Sequence, residues 1–162
     1  LMMGHRLLAR PYMERVLPLK CAWCNRVPPP EGGETLDLGE VRARCCPGHG
    51  QPAAKLFAFL DSWRWVLRAG IFVPLLLLLA TLAAAAFGLQ PPLEEVAAFF
   101  KLTVGITVNL AAFGYLFVQP RSPAAVPFPV HNFFLLGVRN LLWVFRLVGI
   151  WWIWQGLRWF PG

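Results

Sequence analysis

Cys21-Ala22-Trp23-Cys24 and, downstream, Cys45-Cys46-Pro47-Gly48-His49-Gly50 are the stretches on which the reading of this chain turns. A Cys-x-x-Cys turn points both sulfurs to one side, so one ion can accept both. Two such turns complete a tetrahedron, and the repeated pair is a zinc signature. Here the first half is Cys21 and Cys24, and the second is Cys46 and His49, after a spacer of 21 residues. Cys45 is then the spare thiol. Using Cys45 as the ligand instead would lose the two-residue spacing to His49. Each turn needs a residue that tolerates positive φ after its second ligand, and Asn25 and Gly50 stand there. Pro47 and Gly48 suit a tight turn between the ligands.

Other cysteine chemistries fit less well. Haem attachment requires His directly after the second Cys, and Asn25 occupies that place. A thioredoxin-type pair needs a βαβ context that the pattern lacks. Disulfides belong to oxidising compartments, and the topology argued below puts these thiols in a reducing one. Rubredoxin-like iron is the alternative occupant, but that family has Cys where this chain has His49. Three thiolates and an imidazole favour Zn²⁺.

The stretch Leu19-Lys20-Cys21-Ala22-Trp23-Cys24-Asn25-Arg26-Val27, with Cys46-Pro47 downstream, resembles the small zinc-ribbon segment at the end of some bacterial sensor proteins. The likeness covers about thirty residues, on the scale of a small metal-stapled module. It implies Cys21, Cys24, Cys46 and His49 as the ligand positions, and it departs from the family at His49, where a Cys is usual. It implies a zinc ribbon and does not imply signalling, because no sensor domain accompanies it. Between the turns, the Pro- and Gly-rich stretch 27–33 reads as an extended loop and 35–44 as a short hairpin arm. A head of this size buries too little apolar surface to fold unaided, so bound metal is expected to supply much of its folding free energy, on the order of 10 kcal/mol.

Outward from the head, composition changes abruptly. The chain has 162 residues, of which 57% are hydrophobic and only 14% charged, against roughly 25% charged in a soluble domain. After Arg68 only seven residues are Asp, Glu, Lys or Arg. That break separates a polar head (19–60) from a membrane-embedded body. Residues 1–18 read as a short amphipathic lead-in with Arg6, Arg10 and Arg15. Leu7-Leu8-Ala9 is too short for a secretory h-region, and Arg10-Pro11 ends it.

The first membrane helix is expected over 63–88, capped by Asp61 or Ser62, with Trp63 and Trp65 at the interface and a kink at Pro74. A second is expected over 93–118, with Glu94 and Glu95 in its first turn and Lys101 snorkelling. Small residues recur every four positions at Ala80, Ala84 and Gly88 and at Thr103, Thr107 and Ala111, while Gly105 and Asn109 share another stripe. Such stripes let helices approach, and Thr or Asn can hydrogen-bond across them. Lys55, Arg64 and Arg68 precede the first span, Arg121 follows the second, and the turn between carries only acids. The positive-inside rule then puts the head in the cytoplasm, at a bacterial inner membrane.

A Pro-rich linker (119–130: Pro120, Pro123, Pro127, Pro129) leads to the last segment, 131–162. This is rich in Trp and carries Arg139, Arg146 and Arg158. Asn132, Arg139 and Arg146 lie seven apart, one charged stripe on a broad apolar surface. An interfacial amphipathic helix is the favoured reading, and a third transmembrane helix the alternative.

The fold class expected is therefore a mainly α membrane protein: a small N-terminal zinc ribbon, a two-helix transmembrane hairpin and a C-terminal Trp/Arg-rich helix. No catalytic constellation emerges; His5, His49 and His131 are scattered, and intramembrane carboxylates are missing. The +7 net charge follows from topology, since no basic run is interleaved with aromatics as a nucleic-acid groove needs. Neither a nucleic acid nor a small-molecule substrate is expected. The expected role is an accessory structural subunit of a larger membrane complex, such as an energy-converting one, with other membrane subunits and the bilayer as partners and structural zinc as cofactor. The alternatives are a membrane-tethered rubredoxin-like electron-transfer module and a zinc-dependent membrane adaptor or sensor.

Overall fold

The computed structural model describes residues 19–29, 31–37, 42–120 and 137–159. The lead-in over 1–18 and most of the Pro-rich linker lie outside them. Two compact units emerge, one formed by Leu1–Ser62 with Gly114–Trp143, the other by Trp63–Phe113 with Val144–Gly162.

The first unit opens with an antiparallel pair, β1 (Glu34–Asp37) and β2 (Arg42–Cys45), in the register Glu34 opposite Cys45 and Leu36 opposite Ala43. Alternation along a strand sends every second side chain inward; Leu36, Ala43 and Cys45 are buried while Arg42 and Asp37 are exposed. The hairpin arm expected over 35–44 is thus present. A helix that the sequence pattern does not announce, α1 (Gly50–Ser62), follows the second cysteine turn directly. Its Ala53, Leu56, Phe57 and Phe59 form the centre of the unit. Its first turn is capped from a distance: Glu34 accepts hydrogen bonds from the N–H groups of Gly48 (2.7 Å) and Gly50 (2.8 Å), a carboxylate at the positive end of a helix.

Asp61 and Ser62 therefore form the last turn of α1 and do not cap the next helix. That helix, α2, runs Arg64–Ala86, with Trp63 at its N-cap and no side-chain cap hydrogen bond. Pro74 sits inside α2 without ending it. The helix closes at Gly88, whose φ of 81° lets the N–H groups of Gly88 and Leu89 reach the carbonyls of Ala85 and Ala84. This is the left-handed glycine stop, so Gly88 terminates the helix and does not extend its small-residue stripe.

Then come α3 (Leu93–Phe113) and a 3₁₀ turn (Gly114–Phe117). The turn belongs to the first unit, where Gly114 lies under the Phe59 ring and leaves no room for a Cβ. The last helix, α4, covers Val138–Leu157. Among the described residues, two stretches are long and apolar enough to cross a membrane, Arg64–Ala86 (23 residues) and Leu93–Phe117 (25 residues). At 1.5 Å per residue the shorter is about 34 Å long, against a hydrocarbon core of roughly 30 Å.

Within the second unit, α2 and α3 pack at Gly70, where a Cβ would stand 3.0 Å from the Thr107 methyl carbon. The Thr81, Thr107 and Asn109 side chains each bond within their own helix. Thr81 donates to Leu77, Thr107 to Thr103 and Asn109 to Gly105, each to a carbonyl one turn back on its own helix. The helices meet by shape.

Helix α4 lies lengthwise and antiparallel along α3. Arg146 donates to the Ala112 carbonyl (3.1 Å). A Cβ on Gly105 would stand 2.9 Å from the Gly149 carbonyl oxygen, and one on Gly156 3.0 Å from the Leu102 amide nitrogen. Phe100 and Trp152 meet with ring centroids 5.8 Å apart. Glycines at 105, 149 and 156 allow this seam; a Cβ at any of them collides with the facing backbone or side chain.

Candidate metal centre

The first cysteine turn is tied at both ends by its own backbone. The Asn25 N–H donates to the Cys21 carbonyl (2.8 Å) and the Cys21 N–H to the Arg26 carbonyl (2.7 Å). Asn25 takes φ 61°, the left-handed conformation its type tolerates. The turn is stitched to β2 by the Ala22 N–H, which donates to the Arg44 carbonyl (3.3 Å).

The second turn grows out of β2 itself. Alternation explains why Cys46 and not Cys45 joins the site: Cys45 ends the strand facing inward and fully buried, so Cys46 projects the other way. The His49 N–H then donates to the Cys46 carbonyl (3.0 Å). The residue with positive φ here is Gly48 (75°), not Gly50 as the spacing suggests. Gly50 begins α1 and must be small for another reason, because a Cβ would run into the Glu34 carboxylate.

These two turns bring the ligand atoms of Cys21, Cys24, Cys46 and His49 within 4.8 Å of one another. The Cys21 sulfur lies 3.6 Å from His49 Nδ1, and the Cys24 and Cys46 sulfurs lie 3.8 Å apart. A tetrahedral zinc with Zn–S of about 2.3 Å and Zn–N of about 2.0–2.1 Å has S–S edges of about 3.8 Å and S–N edges of about 3.6 Å. The Cys21–His49 and Cys24–Cys46 separations are of the size a tetrahedral ion requires, and the remaining ones stay within 4.8 Å, so the four residues are placed to hold one metal ion. All four cysteines are free thiols.

Electrostatics differ from one thiol to the next. Burial works against ionisation of Cys21, but the N–H groups of Cys46 and Cys24 and the His49 side chain outweigh it and lower the thiol to about 6. The Cys46 N–H lies 3.3 Å from that sulfur. Desolvation, then its hydrogen bond with the Cys24 thiol, raises Cys46 to about 11. Burial, then the charge of Cys21, raises Cys45 to about 12. Cys45 therefore serves the core as a neutral thiol.

Two contributors are invisible in the sequence pattern. Glu34 caps α1 and braces the second turn. The start of α4 seats on the first turn: the Arg139 N–H donates to the Trp23 carbonyl (2.9 Å), and Gly137, at φ 78°, lies where a Cβ would stand 3.2 Å from the Cys24 carbonyl carbon. The Trp23 ring meets Tyr115 edge-on, with centroids 5.8 Å apart. Neither contributor has a local motif, since each depends on chain segments brought together by the fold.

The arrangement defines a class of object, a chain with a Cys/His cage fit for one metal ion and two helices long enough to span a bilayer. No protein-family model matches the chain, and comparison with curated proteins and with solved structures returns no match.

Proposed function

We propose that this chain is an accessory structural subunit of a larger membrane complex: a zinc-fixed, zinc-ribbon-like cytoplasmic head carried on membrane-embedded helices. The observation that carries the reading is the four-atom cage, whose 3.6 and 3.8 Å edges suit a tetrahedral ion. The ligand set favours zinc over iron, and such a site holds a fold together without turning over a substrate. The reading gives the chain no reaction to catalyse.

The membrane half rests on α2 and α3, whose lengths match a bilayer and whose outward side chains are apolar, with Phe72, Leu76 and Ile106 each more than half exposed. Helix α4 is read as membrane-embedded too, because it follows α3 lengthwise. The basic flanks of α2 support a cytoplasmic head. Exposed Leu19 and Val27, beside the first cysteine turn, suit docking on a partner subunit.

Isolation from the native membrane in mild detergent tests this. One zinc per chain, no visible absorption and co-purifying membrane subunits are expected. Recovery as a lone monomer overturns the subunit role. A ferric-thiolate spectrum replaces it with electron transfer.

A further inference from the structure

The second unit carries its charge asymmetrically. Among its described residues the carboxylates are Glu94 and Glu95, both in the first turn of α3. Of the basic residues, Lys101 and Arg158 lie toward that same end, Gly156 packing on Ala98 and Leu102, whereas Arg64, Arg68 and Arg146 lie toward the other end of α3, which therefore carries cations without carboxylates of this unit. Arg146 of α4 donates from Nε and Nη2 to the Ala112 carbonyl and lies 4.4 Å from the Phe113 ring centroid. Arg64 and Arg68 of α2 flank Trp65, their guanidinium carbons 5.8 and 5.2 Å from its ring centroid.

Register places all three at one depth. Gly70 of α2 meets Thr107 of α3. From that level, Arg68 and Arg64 lie about 3 and 9 Å further toward the amino end of α2, and Ala112, with Arg146 on it, about 7.5 Å toward the carboxyl end of α3. The backbone levels of Arg64, Arg68 and Ala112 thus fall within about 6 Å of one another, a band comparable to the thickness of one leaflet's headgroup layer, roughly 5–7 Å. Trp65 is 68% exposed in the same band, where an indole prefers to sit.

We infer that this band is a seat for anionic phospholipid headgroups. The partner is a phosphodiester lipid bearing net negative charge, attracted by three guanidiniums gathered at the end of the unit away from Glu94 and Glu95. Guanidinium forks suit phosphate oxygens, and Trp65 fixes their depth by packing between two of them. The inference rests on the membrane reading of α2, α3 and α4 and adds the lipid class and the residues that select it.

The test uses the full chain reconstituted in vesicles of phosphatidylcholine, with trace spin-labelled phosphatidylglycerol or spin-labelled phosphatidylcholine. Each arginine near an anionic surface contributes about 1 kcal/mol, close to fivefold in association. Phosphatidylglycerol is therefore expected to associate about fivefold or more above phosphatidylcholine. The preference should fall steeply between 0.05 and 0.5 M salt, as screening requires. Arg64→Gln with Arg68→Gln should bring it toward unity, and Arg64→Lys with Arg68→Lys should keep most of it. Equal association of the two lipids with the unaltered chain overturns the inference, as does a preference that survives both the glutamines and high salt. Absence of any protein-restricted lipid signal is a different result, since it overturns the membrane reading itself.

Discussion

Cys24 is one of four side chains placed to hold a metal ion between two turns joined by the β1–β2 hairpin, so its loss is not expected to be a local event. Cys24→Ser should abolish stoichiometric zinc and unfold the head, seen as lost metal by elemental analysis and lowered abundance in the membrane. Normal accumulation with an intact head would show that the ion is not structural. The thiols also set the pH dependence. Cys21 is lowered from 9.0 to about 6 in the folded head, so its contribution to stability is complete above about 9, declines as pH falls and is gone below about 6. Cys46, raised to about 11, keeps its proton at pH 7 until metal displaces it. Zinc loading at pH 7 should thus release at least one proton, measurable as a buffer-dependent heat of binding, and affinity should fall more steeply once pH drops below about 6. Glu34 makes the third case. Glu34→Ala removes a cap and should destabilise the head by about 1 kcal/mol, read as a lower midpoint of thermal unfolding with metal still bound. The two-residue spacing within each turn makes the four ligands legible in the sequence. Glu34 is not legible there, because only the hairpin register brings it beside residues 48–50.

At the level of elements, the long helices are readable from length and composition, and the helix that escapes such a reading is the short one. Residues 53–59 are apolar apart from Lys55 and run almost directly into the span that follows, and the signal that starts α1 comes from a carboxylate on a strand. The only break before α2 is Trp63, which carries no stop signal of its own. The position of α4 is hidden for a related reason. Arg146 meets the carbonyl end of α3, a partner that no pattern along one segment reveals. Its glycines matter more than its charges. Gly105→Val should force α3 and α4 apart and lower stability toward denaturant in detergent by about 1–3 kcal/mol, the usual cost of overpacking. An unchanged midpoint would mean that the two helices do not pack at this seam.

For the whole molecule, the first cysteine turn does more than place two candidate ligands. Its backbone receives the first turn of α4, with Gly137 against Cys24 and Asn25 and the Arg139 N–H on Trp23. Stripping the metal with a chelator should therefore loosen residues 137–142 as well as 21–49, while α2 and α3 keep their protection. Hydrogen exchange read by mass spectrometry, with and without chelator, distinguishes this from a head that unfolds by itself. Faster exchange confined to 21–49 would disconnect the ion from α4.

The stitch between Trp23 and Arg139 also imposes a schedule on biosynthesis. The segment that completes the turn carrying Trp23 is made more than a hundred residues after it. Until then the nascent head is unfinished, whatever its zinc content. A chain interrupted before residue 137 would leave Cys24, Asn25 and the Trp23 carbonyl uncovered, open to the proteases that clear incomplete products.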